Sequence, residues 1–170
     1  MGEAGVFSPE ARFELIDGEI IEMAPIGSPH AGAVNVLTRL FIHLVRDDAV
    51  VSVQNPLVLG ERSVPQPDLA LLKSRVDNYS NAHPVAADAL LVVEVADTSL
   101  AFDTGTKVPL YGRNGIQEVW VVDLRERAVR VYRDPSPSGY KTSFYVAGDE
   151  QLAALAMPQL IVTPRELLGV

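Results

Sequence analysis

The stretch Leu90-Leu91-Val92-Val93-Glu94-Val95-Ala96-Asp97 sets one carboxylate, Glu94, inside an otherwise apolar run. A short run this rich in Val and Leu suits a strand covered on both faces. Earlier in the chain, Pro67-Asp68-Leu69-Ala70-Leu71-Leu72 repeats the pattern, with Asp68 as the charged member. A carboxylate in such a strand is costly unless its charge is compensated. Two strands of this kind predict the centre of a sheet.

Outward from that centre, the punctuation is clear. Asp17-Gly18 separates Phe13-Glu14-Leu15-Ile16 from Glu19-Ile20-Ile21-Glu22-Met23, which predicts a two-residue β-hairpin. Ser8-Pro9-Glu10 reads as a helix start, and residues 1–11 are expected to be a flexible or short helical N-terminus. Ser28-Pro29-His30 opens a longer helix, in which Val34, Leu37, Leu40, Phe41, Leu44 and Val45 recur at helical spacing. Residues 50–54 and 57–59 read as strands interrupted by Asn55-Pro56, and residues 60–63 as a turn. The central strands, 67–73 and 90–96, are joined by a polar connection. Residues 103–114 read as a helix stopped by Gly115, with Pro109 arguing against a long unbroken one. Residues 119–123 form a third apolar strand, and 128–133 with 140–146 a hairpin. Thr163-Pro164-Arg165-Glu166 carries the capping-box pattern of a terminal helix. The expected class is α+β: a mixed central β-sheet flanked by helices, with an N-terminal β-hairpin. No repeat or long linker divides the chain, so residues 1–170 are expected to be a single domain.

Composition narrows the function classes. The chain has 170 residues, 48% apolar and 21% charged, enough for a proper core. No apolar run approaches the roughly 20 residues a bilayer span needs. Met1-Gly2-Glu3-Ala4-Gly5 lacks the features of a signal peptide, and there are no cysteines for disulfides or thiolate metal sites. Together these fit a cytoplasmic protein. The net charge of −8 weighs against a broad nucleic-acid surface. A local basic face could still draw on Lys73, Arg75, Lys107, Arg113, Arg130, Arg133 and Lys141, although ordinary solvated charges explain most of them.

Two carboxylates side by side would repel, and a divalent cation is the natural compensation. Hard carboxylate oxygens suit Mg2+ or Mn2+. The bland alternatives are an Asp68 that bonds nearby backbone after Pro67, and a Glu94 in a structural ion pair with a buried base. Lys107 could orient an attacking water or stabilise charge developing on phosphorus, or could be a solvated lysine. Asp97 and Asp103 read as cap and first-turn residues. Glu19 is either a third acid near the metal or a solvent-facing strand residue. His30 either touches a phosphate or is exposed at its helix start. Trp120 reads as core. Glycine-rich phosphate loops, a Gly-x-Ser-x-Gly elbow and zinc spacing among His30, His43 and His83 are absent.

These segments, in this order and spacing, resemble the Uma-type restriction endonucleases, a bacterial family within the PD-(D/E)XK nuclease superfamily. The resemblance spans about residues 12–168 and rests on Phe13 to Glu19, Ser28-Pro29-His30, Gln66-Pro67-Asp68-Leu69, Val93 to Asp97, the segment around Lys107, and Glu118 to Asp123. It implies a restriction-endonuclease-like core and a DNA endonuclease that hydrolyses phosphodiester bonds with a metal-activated water. It implies Mg2+ or Mn2+ held by Asp68, Glu94 and the Val95 carbonyl. The family's usual lysine position, two residues after Glu94, is Ala96 here, and the resemblance implies that Lys107 from the following helix replaces it. Glu19 and His30 fall where the family carries a further acid and a histidine. DNA is the implied partner, and double-strand cleavage favours a homodimer by two-fold symmetry. The alternatives are a catalytically silent nuclease-fold module binding nucleic acid or a protein, and an interaction protein with structural buried acids.

Overall fold

The computed structural model describes residues 12–169; the expected N-terminal helix start lies outside them. Strands β1 (Phe13–Ile16) and β2 (Glu19–Glu22) form the hairpin. Asp17 and Gly18 take φ of 52° and 89°, the positive values that a two-residue loop of this hand requires. Helix α1 (Ser28–Val45) follows, with Gly27 rather than Ser28 at its N-cap.

The main sheet has six strands: β3 (Ala49–Val53), β4 (Leu69–Lys73), β5 (Ala89–Ala96), β6 (Glu118–Asp123), β7 (Ala128–Ser136) and β8 (Gly139–Ala147). They lie in chain order across the sheet, and β5 and β6 are its one parallel pair. That pair needs a crossover, and residues 100–113 supply it as helix. Residues 57–59, expected as a strand, join no ladder. Their amides bond instead to the Pro65, Pro84 and Ser63 carbonyls. Gln54, at φ 51°, and the donor-less Pro56 turn the chain out of the sheet before them. A short pair, β9 (Leu152–Ala153) with β10 (Ile161–Val162), precedes α4 (Pro164–Leu168). The Thr163–Glu166 capping box is present in both directions.

The crossover begins earlier than its pattern predicts and is not uniform. It runs from α2 (Leu100–Phe102) through one π-type turn (Asp103–Lys107) into α3 (Val108–Arg113). Pro109 cannot donate to the preceding turn, and its ring crowds the carbonyl four residues back. A wider turn at that place accommodates both effects.

The two faces of the sheet carry separate apolar layers. Leu37 and Phe41 of α1 pack on Leu71, Leu91, Val93 and Trp120, with the Phe41 and Trp120 rings 6.3 Å apart. Val108 and Tyr111 of α3 cover Val92, Val119 and Val121 on the other face. This is why β5 and β6 read as continuous apolar runs rather than alternating ones. Each large side chain fully buried here contributes about 1.5–3 kcal/mol. At Gly112 an added Cβ would lie 2.3 Å from the Gly139 carbonyl oxygen, so α3 rests directly on the turn between β7 and β8.

Candidate active site

The site forms where β4 and β5 part. Their pairing ends at Leu69 opposite Val93. Beyond that rung the Val95 amide donates to Asp68 Oδ2 at 2.8 Å, in place of a ladder carbonyl. Extending the register by two sets Val95 across from Pro67, which has no N–H to give. The N–H and C=O of one strand residue point the same way. The Val95 carbonyl therefore looks into the same gap, with no donor available from Pro67.

Asp68 Oδ1 accepts from His30 Nε2 at 2.9 Å and from Gln54 Nε2 at 3.1 Å. Glu94 is 1% exposed. Its Oε1 accepts from the Tyr111 hydroxyl at 2.6 Å and from Lys107 Nζ at 2.9 Å. Its Oε2 has only a long contact, 3.4 Å, from the Asp68 amide. Lys107 and Tyr111 stand one helical turn apart, so both reach the same oxygen. Lys107 has a second carboxylate, Glu14 Oε1, at 3.0 Å, and that oxygen also accepts from the Gln66 amide at 2.6 Å. Asp103, on the same turn, accepts from Ser99 Oγ at 2.6 Å.

Burial and charge act against each other here. Burial pushes the Glu94 carboxyl up to about 8, although Lys107 pulls it back. For Lys107 burial favours the neutral amine, yet Glu94, Glu14 and Asp103 outweigh it and hold the ammonium above its usual range. Burial raises Asp103 to about 6. For Asp68 burial also opposes ionisation, but the His30 hydrogen bond and charge, with the Val95 amide, hold it below the usual carboxylate range. The same bond to Asp68 raises His30. His30 therefore donates and Asp68 accepts.

Glu14, His30, Gln54, Asp68, Glu94, Asp103 and Lys107 line one open cleft of about 390 Å³. Asp68, Glu94, Lys107 and His30 come together in it. Glu19 does not. It lies opposite Ile16 at the turn end of the hairpin, in solvent. The acid the hairpin contributes is Glu14, 3% exposed and two residues up the same face of β1. No signal in the sequence marked it, since the Phe13/Leu15 alternation would turn Glu14 outward, whereas in the fold Glu14 and Ile16 turn inward together. Gln54, Tyr111 and the buried Asp103 were also missed as parts of the site. Asp97, at the rim, pairs with Arg125 at 3.5 Å. Asp97 caps no helix, since Ser99 holds the N-cap of α2, whereas Asp103 is the acid in the first turn of the π-type segment and is buried there. Trp120 is core, and its Nε1 donates to Glu118 Oε1 at 2.9 Å.

Of the seven basic candidates, Lys73 and Lys141 are exposed and the other five are engaged. Lys107 is buried between acids, and Arg75, Arg113, Arg130 and Arg133 pair with Asp77, Asp17, Asp123 and Glu118. Among the described residues, no three His, Cys, Asp or Glu side chains are grouped to enclose a metal. Mg2+ does not need such a cage, since it takes one or two carboxylates and keeps several waters. Asp68, the sparsely bonded Glu94 Oε2 and the Val95 carbonyl are hard donors that fit a partly hydrated ion of this kind.

Comparison with known proteins agrees with the geometry. The model of the Uma2 family, described as "Putative restriction endonuclease", matches residues 3–165. No curated protein matches. Among solved structures, "a putative nuclease belonging to DUF820" from Anabaena variabilis has the same fold, with a TM-score of 0.78 at 17% identity, over 98% of this chain and 95% of that chain.

Proposed function

The chain belongs to the Uma2 family, and on that premise we propose that it is a divalent-metal-dependent DNA endonuclease. The observation that carries the reading is the convergence of Asp68, Glu94 and Lys107 on one open cleft. Asp68 and Glu94, with the Val95 carbonyl, would hold Mg2+ or Mn2+. The bound ion would supply a Lewis acid and a water of lowered pKa. His30 donates to Asp68 Oδ1 and fixes which oxygen lone pairs remain for other partners. Lys107, kept charged by Glu14 as well as Glu94, offers its ammonium to a phosphate oxygen on which negative charge builds. Tyr111 holds Glu94 in place from the same helix. Cleavage of both strands of a duplex would call for a two-fold homodimer, which sedimentation tests.

One observation favours a second reading, a nuclease-fold module that does not cut. Glu94 is already satisfied by Lys107 and Tyr111, as a structural acid would be. Supercoiled plasmid incubated with the protein and Mn2+ separates the two. The proposal expects nicking that disappears with EDTA and falls at least a hundredfold in Asp68→Asn and Glu94→Gln. Nicking that persists in both folded variants, or none in the wild type, overturns it.

A further inference from the structure

We infer that the cleft takes a single, unpaired DNA strand rather than an intact duplex, with one base lying against its apolar wall. The inference rests on the nuclease reading and adds the class of substrate. Three observations carry it. The first is depth: Glu94 is 1% exposed and Asp68 7%, at the bottom of a cleft of about 390 Å³. That volume is near the lower end of small-ligand pockets, roughly 300–1,000 Å³. It holds about a nucleotide. A double helix, whose major groove alone is about 12 Å wide, cannot enter it. Acids this buried are reached more readily by a phosphodiester on a strand freed from its partner than by one held in a rigid duplex.

The second observation is the chemistry of the walls. Besides the carboxylates, the cleft is lined by Met23, Pro25 and Ile26 of the loop before α1 and by Phe102 of α2. Ile26 is 41% exposed and Phe102 half-buried. An aromatic ring and aliphatic side chains beside a hydrolytic centre suit the π-face of an unstacked base, which any sequence can offer. The third is electrostatic. Duplex affinity comes mostly from cations on phosphates. Here Arg75, Arg113, Arg130 and Arg133 are engaged by the protein's own acids. Glu14, Glu22, Asp97 and Asp103 add further negative charge to the cleft. A ligand held by base stacking and by an ion on the carboxylates depends least on a cationic face. Cutting one strand at a time also removes the need for two sites on a symmetry axis.

The test is fluorescence anisotropy with the full chain and a labelled DNA oligonucleotide, single-stranded or annealed to its complement as a blunt duplex, in Ca2+ and in EDTA. The single strand is expected to bind at least tenfold tighter than the duplex, and only with Ca2+ present. Phe102→Ala is expected to weaken single-strand binding about fivefold or more, the lower end of what one aromatic–base stack contributes. Ile26→Ser, in an exposed loop, keeps the test open if the Phe102 variant is unfolded, and its single-strand affinity should fall at least twofold. Equal or tighter duplex binding overturns the inference, as does failure to bind either form in Ca2+, or unchanged single-strand affinity in the folded variants. None of these results bears on the plasmid assay: nicking of plasmid with preferential duplex binding would leave the nuclease reading standing and remove this one.

Discussion

Lys107 Nζ lies 2.9 Å from Glu94 Oε1 and 3.0 Å from Glu14 Oε1, bridging the central strand and the N-terminal hairpin from the crossover segment. Lys107 is 4% exposed, so both pairs are shielded from water. Breaking a buried pair by removing one partner costs about 3–5 kcal/mol, because the charge left behind has no solvent. Lys107→Met keeps the length of the side chain and removes its charge. It is expected to destabilise the protein by about that amount, with urea unfolding as the measurement. A loss below about 1 kcal/mol, the scale of a surface pair, would contradict the buried bridge.

The two acids of the hairpin make a matched control. Glu14 is buried against Lys107 and the Gln66 amide, while Glu19 is in solvent. Glu19→Ala is expected to change stability by no more than about 0.5 kcal/mol and to leave nicking intact. Glu14→Ala is expected to cost about 1–3 kcal/mol, since it strips an acceptor from the buried Lys107 and from the half-buried Gln66 amide. Urea midpoints of the two variants side by side decide it. Equal effects would mean that the hairpin register is wrong.

Stability should depend on pH in a defined direction. Burial raises Glu94 to about 8 and Asp103 to about 6, and the bond to Asp68 raises His30. Each of these groups binds its proton more tightly in the folded protein than in the unfolded chain. Between about pH 5 and pH 8 the native state therefore holds more protons, and stability falls as pH rises. His30 contributes below its ordinary 6.5, and that contribution is lost as pH climbs through its folded value. Asp68, held low, works only at the acid end: its contribution is present above the ordinary carboxylate range and is lost on acidification. Melting temperatures measured in EDTA should decline from pH 5.5 to 8. A rise across that range would mean that these groups ionise freely in the fold.

Gly112 ties the helix of the site to the sheet edge. A methyl group there meets backbone at the β7–β8 turn, 2.3 Å from the Gly139 oxygen, which no side-chain rotation relieves. Gly112→Ala, normally favourable in a helix, is expected to destabilise by about 1–3 kcal/mol through overpacking. Chemical denaturation checks the sign, and a stabilised variant would contradict the contact.

Much of this architecture was legible in the chain. The lone acids in the runs around Asp68 and Glu94 mark central strands because nothing else tolerates that mixture of burial and charge. The Asp17-Gly18 turn and the Thr163–Glu166 cap are local chemistry and needed no tertiary context. What was not legible depended on non-local partners. The apolar triplet at 57–59 looks like a strand, but the turn at Gln54 carries it off the sheet. The π-type turn at 103–107 follows from fitting Pro109 onto a packed face. Asp103 is a first-turn acid as its position suggests, but only the fold shows that it is buried beside the site. The choice of Glu14 over Glu19 also depended on the fold, since Phe13 and Leu15 would by alternation take the inner face and only the packed hairpin buries Glu14 with Ile16. The arginines looked like a possible basic face, and only the folded chain pairs them with Asp17, Asp77, Glu118 and Asp123.

The claim beneath the rest is that Asp68 and Glu94 share one dication. Titration calorimetry with Mn2+ at pH 8, where Glu94 is released most easily from its proton, addresses it without reference to any substrate. One site per chain is expected in the wild type. Asp68→Asn and Glu94→Gln, each checked for an intact melting transition, are expected to lose it by at least tenfold in affinity. Mn2+ binding unchanged in both folded variants would contradict the account.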